Sequence, residues 1–224
     1  MNLARTPAAS PRTSQPADRT TTASRAPARA WQRMLSGRRL DLLDPSPLDI
    51  EIEDIAHGLA RVARWNGQTR GEHAFSVAQH SLLVEAVLVH VGPKPDPAER
   101  LGALLHDAAE YVIGDMISPF KAALGVDYRT FETRLDGVIR VRFGLPARMS
   151  ADLKRRVKAA DSVSAFFEAT RLAGFETDEA LRFFGTPPAM PEPEMEPKSP
   201  SEAQAMFLTR FESLIREMDS GRGG

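Results

Sequence analysis

Leu104-Leu105-His106-Asp107-Ala108-Ala109-Glu110 is the stretch that decides how this chain is read: an apolar helical run that abruptly carries an imidazole and two carboxylates. Just upstream, Asp96-Pro97-Ala98-Glu99 supplies an N-cap acceptor, a proline at the first helical position and a carboxylate in the first turn, so a helix should begin there. Leu101, Leu104, Leu105 and Ala108 then recur at helical spacing and predict that this helix lies in the core. His106 and Asp107 sit at the edge of the apolar stripe, and Glu110, four residues after His106, should project from the same side one turn further on. A buried imidazole beside two carboxylates needs compensation, and a divalent cation is the simplest partner for all three. Taken alone, the helix reads equally well as carrying a satisfied core histidine with its acids turned to solvent.

The bulk composition narrows the chemistry. A chain of 224 residues can fill one core without requiring two domains. A net charge of -1 gives no electrostatic case for a nucleic-acid polymer or a membrane surface as partner. With no cysteine, disulfides and thiolate zinc sites are excluded, so any metal must be held by His, Asp and Glu, a donor set suited to hard or borderline divalent ions. No apolar run approaches the roughly 20 residues of a membrane span, and no signal-peptide core is visible at the start. The expectation is a soluble, cytoplasmic protein.

The fold expected is all-α: a single helical-bundle domain over residues 31–219, between a disordered N-terminal extension, 1–30, and a short disordered tail, 220–224. The extension is rich in Ala, Ser, Thr, Pro and Arg, has Asp18 as its only acid and lacks aromatics, so it cannot bury enough surface to fold. Ile52, Ile55, Leu59 and Val62 mark a first core helix ending near Arg64-Trp65-Asn66-Gly67, where Asn-Gly forces a turn. Val77, His80, Val84, Val87 and Val91 mark a second, closed by Gly92-Pro93, with His80 on its buried stripe. Beyond a glycine- and proline-punctuated segment at Gly114 to Lys121, Phe131, Leu135, Val138 and Ile139 give another helix. Ser150 caps the next, whose inward face is Leu153, Val157, Ala160, Ser164 and Phe167, flanked by Asp161. A short helical piece around Ala180 to Phe184, a rigid Pro- and Glu-rich linker from Pro187 to Pro200 and a final helix capped at Ser199 complete the pattern. Nothing alternates convincingly as a β-strand.

His80 on one core helix, His106-Asp107 on a second and Asp161 on a third combine into a plausible site for Mn²⁺, Co²⁺, Fe²⁺ or Mg²⁺. In order, the chain presents Arg64-Trp65, then Ser76-Val77-Ala78-Gln79-His80-Ser81-Leu82, then Leu105-His106-Asp107-Ala108-Ala109-Glu110, then Gly114-Asp115 with Ser118-Pro119-Phe120-Lys121, and finally Lys158-Ala159-Ala160-Asp161. This ordered set, within 52–165, resembles the HD-domain metal-dependent phosphohydrolases and looks most like the bacterial 5′-deoxyribonucleotidases among them. A bare His-Asp pair is weak; the five motifs together are specific.

The resemblance implies an HD-domain bundle in which His80, His106, Asp107 and Asp161 ligate the metal and Glu110 orients or activates water. It implies further that Arg64 contacts phosphate, Trp65 packs on the sugar or base, and Asp115 bonds a 3′-hydroxyl, favouring deoxyribose. Lys121 is added on chemical grounds as a neutraliser of phosphate charge, although a solvated surface lysine reads as well. The implied activity is removal of phosphate from (deoxy)nucleoside 5′-monophosphates, with a small nucleotide as the partner. The alternatives are a deoxynucleoside triphosphate triphosphohydrolase and, from another class, a non-catalytic metal or nucleotide sensor. Tyr111 stands where guanosine-tetraphosphate hydrolases carry a second acid, which disfavours that subfamily, and Gln79 stands where the closest nucleotidases usually have glutamate. Relatives of this kind are often dimers, and the apolar C-terminal helix is a candidate homodimer face.

Overall fold

The computed structural model describes residues 30–115 and 126–222. Among these the architecture is all-α apart from one small hairpin, and no helix is long and apolar enough to cross a membrane. The hairpin corrects the expectation of no strands. Trp31–Arg33 (β1) pairs antiparallel with Arg39–Asp41 (β2), in register Trp31 to Asp41, around a turn containing Gly37 at φ +92°. Of its six paired residues only Leu40 is buried, so three-residue strands leave no alternation to read. The turn is tied down by Asp54, which accepts from the Ser36 amide at 2.9 Å and the Ser36 hydroxyl at 2.5 Å.

Helix α1 (Ile52–Leu59) is shorter than its apolar pattern suggests. It ends at Leu59, and Arg64–Gly67 forms a separate tight turn. Helix α2 (Val77–Leu88) is the hub. Ser76 caps it, and buried residues occur on all its sides, so it is enclosed as a helix apolar all round must be. It packs against α3 (Pro97–Leu104), α6 (Ala151–Arg171) and α8 (Pro200–Arg222). Glu85 fastens these layers: 4% exposed, it meets Arg100 of α3 at 2.5 Å and Arg210 of α8 at 2.9 Å.

The expected capping box opens α3, with Glu99 N–H donating to Asp96 at 2.8 Å and Asp96 N–H to Glu99 at 3.1 Å. The continuous helix expected through Glu110 is broken, however. After Leu104 the chain tightens into successive i→i−3 hydrogen bonds, His106 N–H to Ala103, Ala108 N–H to Leu105 and Glu110 N–H to Asp107. A separate short helix, α4 (Glu110–Ile113), follows and stops at Gly114, φ +75°. Helix α5 (Val126–Arg142) and α7 (Thr177–Phe184) complete the set. The tail expected from residue 220 is partly helical, since α8 runs to Arg222.

Two apolar clusters form the core. One joins Leu40, Ile55, Leu59, Leu101, Leu104, Leu135 and Ile139 to Phe207, Phe211 and Leu214 of α8. The other joins Val84, Val87 and Leu88 of α2 to Val157, Phe166 and Phe167 of α6 and Ala180 of α7. The candidate site lies where α2, the turn after α3 and α6 meet. Residues 1–29 of the expected extension 1–30, and Lys121, lie outside the described residues.

Candidate functional site

The Ser76 cap fixes where α2 begins, and four residues later its first full turn delivers His80, fully buried, to the face that meets α6. Nδ1 of His80 lies 2.5 Å from Oε1 of Glu168, an acceptor, so Nδ1 carries the proton and Nε2 presents its lone pair. Nδ1 of His106 lies 2.8 Å from the Ala103 carbonyl oxygen, which by the same logic frees its Nε2. The two rings are 5.3 Å apart between centroids, and both Nε2 atoms are buried with no hydrogen-bond partner.

What these lone pairs face is negative. His80 Nε2 is 3.4 Å from Asp161 Oδ1 and 3.5 Å from Asp107 Oδ2, and His106 Nε2 is 3.1 Å from that same Asp107 oxygen. Ligand atoms of His80, His106 and Asp161 all lie within 4.8 Å of one another, so the group could hold a metal ion. Orphaned imidazole nitrogens beside carboxylates fit a divalent cation, which satisfies every atom at once. Asp107 and Asp161 keep 26% and 21% of their side chains exposed while His80 has none, so the cluster opens to solvent on its carboxylate side.

Without a cation, a proton must serve. Burial and the Arg64 charge oppose protonation of His80, yet Glu168, Asp107 and Asp161 outweigh them and raise its pKa well above the ordinary histidine value. Burial alone would raise the carboxyls, but His106 and His80 hold Asp107, and His80 chiefly holds Asp161, well below the usual range. The exposed Lys158 ammonium reaches the other Asp161 oxygen at 2.7 Å.

Of the other residues that the sequence singles out, Glu110, Arg64, Trp65 and Asp115 are among the described residues. Glu110, the first residue of α4, is only 3% exposed. Arg64 donates from Nε to Glu168 Oε2 at 3.1 Å and from Nη1 to Asp115 at 2.9 Å, so Arg64 and Asp115 are brought together. Burial would lower the Arg64 pKa, but Glu168 and Asp115 keep it above its ordinary value. Trp65 donates its indole N–H to Glu168 Oε2 at 2.9 Å and lies against Phe175 and Phe184, with centroids at 5.5 and 6.1 Å. Its backbone is left-handed, φ 55°, a conformation costing a bulky residue of order 1–3 kcal/mol and kept only where surroundings enforce it.

Sequence reasoning missed Glu168. It is wholly buried and accepts from His80, Arg64 and Trp65 together. Its signal was a lone acid inside Ala165-Phe166-Phe167-Glu168-Ala169, seven residues and hence two turns after Asp161 on one helix face.

No family model matches the chain. It is 56% identical over 192 residues to the uncharacterized protein RCAP_rcc00048 of Rhodobacter capsulatus, a match covering 85% of this chain and 98% of that protein. It is 35% identical over 170 residues to the uncharacterized protein YfdR of Escherichia coli, covering 74% and 85%. At that identity and coverage, the chain belongs to the family that includes RCAP_rcc00048 and YfdR.

Proposed function

We propose that this protein is a metal-dependent phosphohydrolase of the HD-domain type that removes phosphate from (deoxy)nucleoside 5′-monophosphates in the cytoplasm. The observation that carries the reading is the pair of buried, partnerless Nε2 atoms of His80 and His106 converging with Asp107 and Asp161 on an open carboxylate side. His80, His106, Asp107 and Asp161 would hold the cation. A divalent ion bound there would supply Lewis acidity, lowering the pKa of water towards about 7 and screening phosphate charge.

The chain's own groups do the rest. The buried Glu110 carboxylate accepts the proton of the attacking water and holds that water in line with phosphorus. Arg64, anchored through Nε and Nη1, offers a planar fork to the non-bridging oxygens, better matched to phosphate than an ammonium. Asp115 accepts from the sugar 3′-hydroxyl, and Trp65 packs on sugar or base. Lys121 is assigned a secondary part in neutralising phosphate.

The test is orthophosphate release from deoxy- and ribonucleoside mono- and triphosphates with Mn²⁺, Co²⁺ and Mg²⁺, alongside Asp107→Ala and Glu110→Gln. Deoxy monophosphates should yield orthophosphate, both variants should be inactive, and Glu110→Gln should still bind metal. Tripolyphosphate from dATP would assign the triphosphohydrolase reaction instead. Tight nucleotide binding without turnover would make the protein a sensor.

A further inference from the structure

Glu168 performs three tasks with one planar group. Oε1 takes the Nδ1 proton of His80 at 2.5 Å, while Oε2 takes Arg64 Nε–H at 3.1 Å and Trp65 Nε1–H at 2.9 Å. The oxygens share one plane, so rotating the carboxylate to follow His80 necessarily moves the acceptor gripping the Arg64-Trp65 turn. Stability does not account for this arrangement. Glu168 is wholly buried, and a buried charged network is often no more stable than apolar residues of similar volume replacing all of its members.

The turn it grips is itself poised. Trp65 and Asn66 both hold left-handed backbone, and the Trp65 indole is bonded to Glu168 and in ring contact with Phe175 and Phe184. Arg64 is fixed at its second end by Asp115. A group that faces the cation cluster on one oxygen and the proposed phosphate arm on the other can transmit occupancy from one to the other.

We infer that Glu168 is a positioning residue coupling cation occupancy at His80 to the placement of Arg64 and Trp65. A cation bound at His80 Nε2 would fix the position of the imidazole ring within the cluster. Nδ1 and Oε1 are already only 2.5 Å apart, so Glu168 follows any displacement of the ring, and Oε2 changes its hold on the arginine and the indole. The inference rests on the cation reading of the His80 cluster, and not on hydrolysis.

The chain has two tryptophans, Trp31 and Trp65, so Trp31→Phe leaves Trp65 as the only indole reporter. In this background Zn²⁺, which is diamagnetic, is titrated and Trp65 emission is followed beside calorimetry. The emission should shift with the calorimetric midpoint. Glu168→Gln should bind Zn²⁺ 10- to 100-fold more weakly, the usual loss when the carboxylate behind a ligand histidine is removed, and should show no emission shift at saturation. Glu168→Asp keeps the charge beside Arg64, so folding is preserved if the glutamine variant fails. Shorter by one methylene, it should lose the emission response in the same way. Wild-type affinity or a retained Trp65 response in a folded Glu168 variant would overturn the coupling. Zn²⁺ binding by the parent without an emission shift would overturn the coupling alone, whereas no Zn²⁺ binding would overturn the cation reading with it. A parent that binds and responds but releases no orthophosphate would leave the coupling standing and remove the hydrolase.

Discussion

Replacing Gly58 by alanine places a methyl group where α1 and α4 meet backbone to backbone. The added Cβ would lie 2.8 Å from Tyr111 Cβ, 2.9 Å from its carbonyl oxygen and 3.1 Å from its Cα. No side-chain rotation relieves this, because the obstructing atoms are backbone or fixed to it. Reaching ordinary contact at 3.4 Å requires α4 to retreat by about 0.6 Å. Such overpacking costs about 1–3 kcal/mol, against a gain of about 1 kcal/mol from replacing glycine in a helix, so a net loss of up to about 2 kcal/mol is expected. The larger effect should be functional, since Glu110 immediately precedes Tyr111 and moves with it. A 1 Å misplacement costs on the order of 100-fold in rate, so 0.6 Å should lower kcat on dAMP about 10-fold. His80 and Asp161 stand on other helices, whereas the Asp107 carbonyl accepts a hydrogen bond from Glu110 N–H, so metal affinity should fall less than kcat does. Urea unfolding, calorimetry with Mn²⁺ and steady-state orthophosphate release measure the three quantities. Unchanged kcat together with a full 1 kcal/mol of added stability would refute the close packing of α1 on α4.

Glu85→Gln removes the anion that Arg100 and Arg210 share, and because those arginines are 28% and 22% exposed the loss should be about 2 kcal/mol, short of a fully buried pair. A urea midpoint shift worth less than about 0.5 kcal/mol would show the cluster to be energetically silent. Burial pushes the Asp136 carboxyl from 3.8 up to about 6, against the opposing charge of Arg140. A carboxyl raised by folding stabilises below its unfolded pKa and loses that contribution as pH rises through the folded one, so wild-type stability should fall between about pH 4 and 6 on this account. The displacement of about two pH units corresponds to about 3 kcal/mol at most. Asp136→Asn in metal-free buffer should therefore gain stability over wild type as pH rises from 4.5 to 7.5, and a pH-independent difference would exclude the carboxyl as the cause.

What the sequence could disclose was what neighbouring residues decide among themselves. The helix starts at Asp96, Ser150 and Ser199 were legible because capping is local chemistry, and each cap is present. His80 and Asp161 stood out because a polar residue on an apolar stripe breaks a periodic pattern, and the fold brings them to 3.4 Å. The break between Leu104 and Glu110 was hidden, since the apolar spacing runs on unbroken while the backbone shortens its hydrogen bonds to aim His106 and Asp107 at one point. Glu168 was hidden for another reason. Phe166, Phe167 and Glu168 are all buried, so that part of α6 has no outward face, and its partners Arg64 and Trp65 are over a hundred positions away in the chain.

The last helix has a consequence for biosynthesis. Ala203, Phe207, Phe211, Leu214 and Met218 of α8 complete the core cluster that contains α1 and the apolar residues of α3. Every residue of the candidate site, from Arg64 to Glu168, precedes it. At about 5–20 residues per second, a ribosome takes roughly 3–10 s to add the stretch from Leu172 to Arg222. During that interval the faces that α8 will cover stay open to solvent and to other chains, so the nascent protein is a natural client for chaperones. The cluster that could hold a metal ion thus rests on a core completed by a helix that contributes none of its residues.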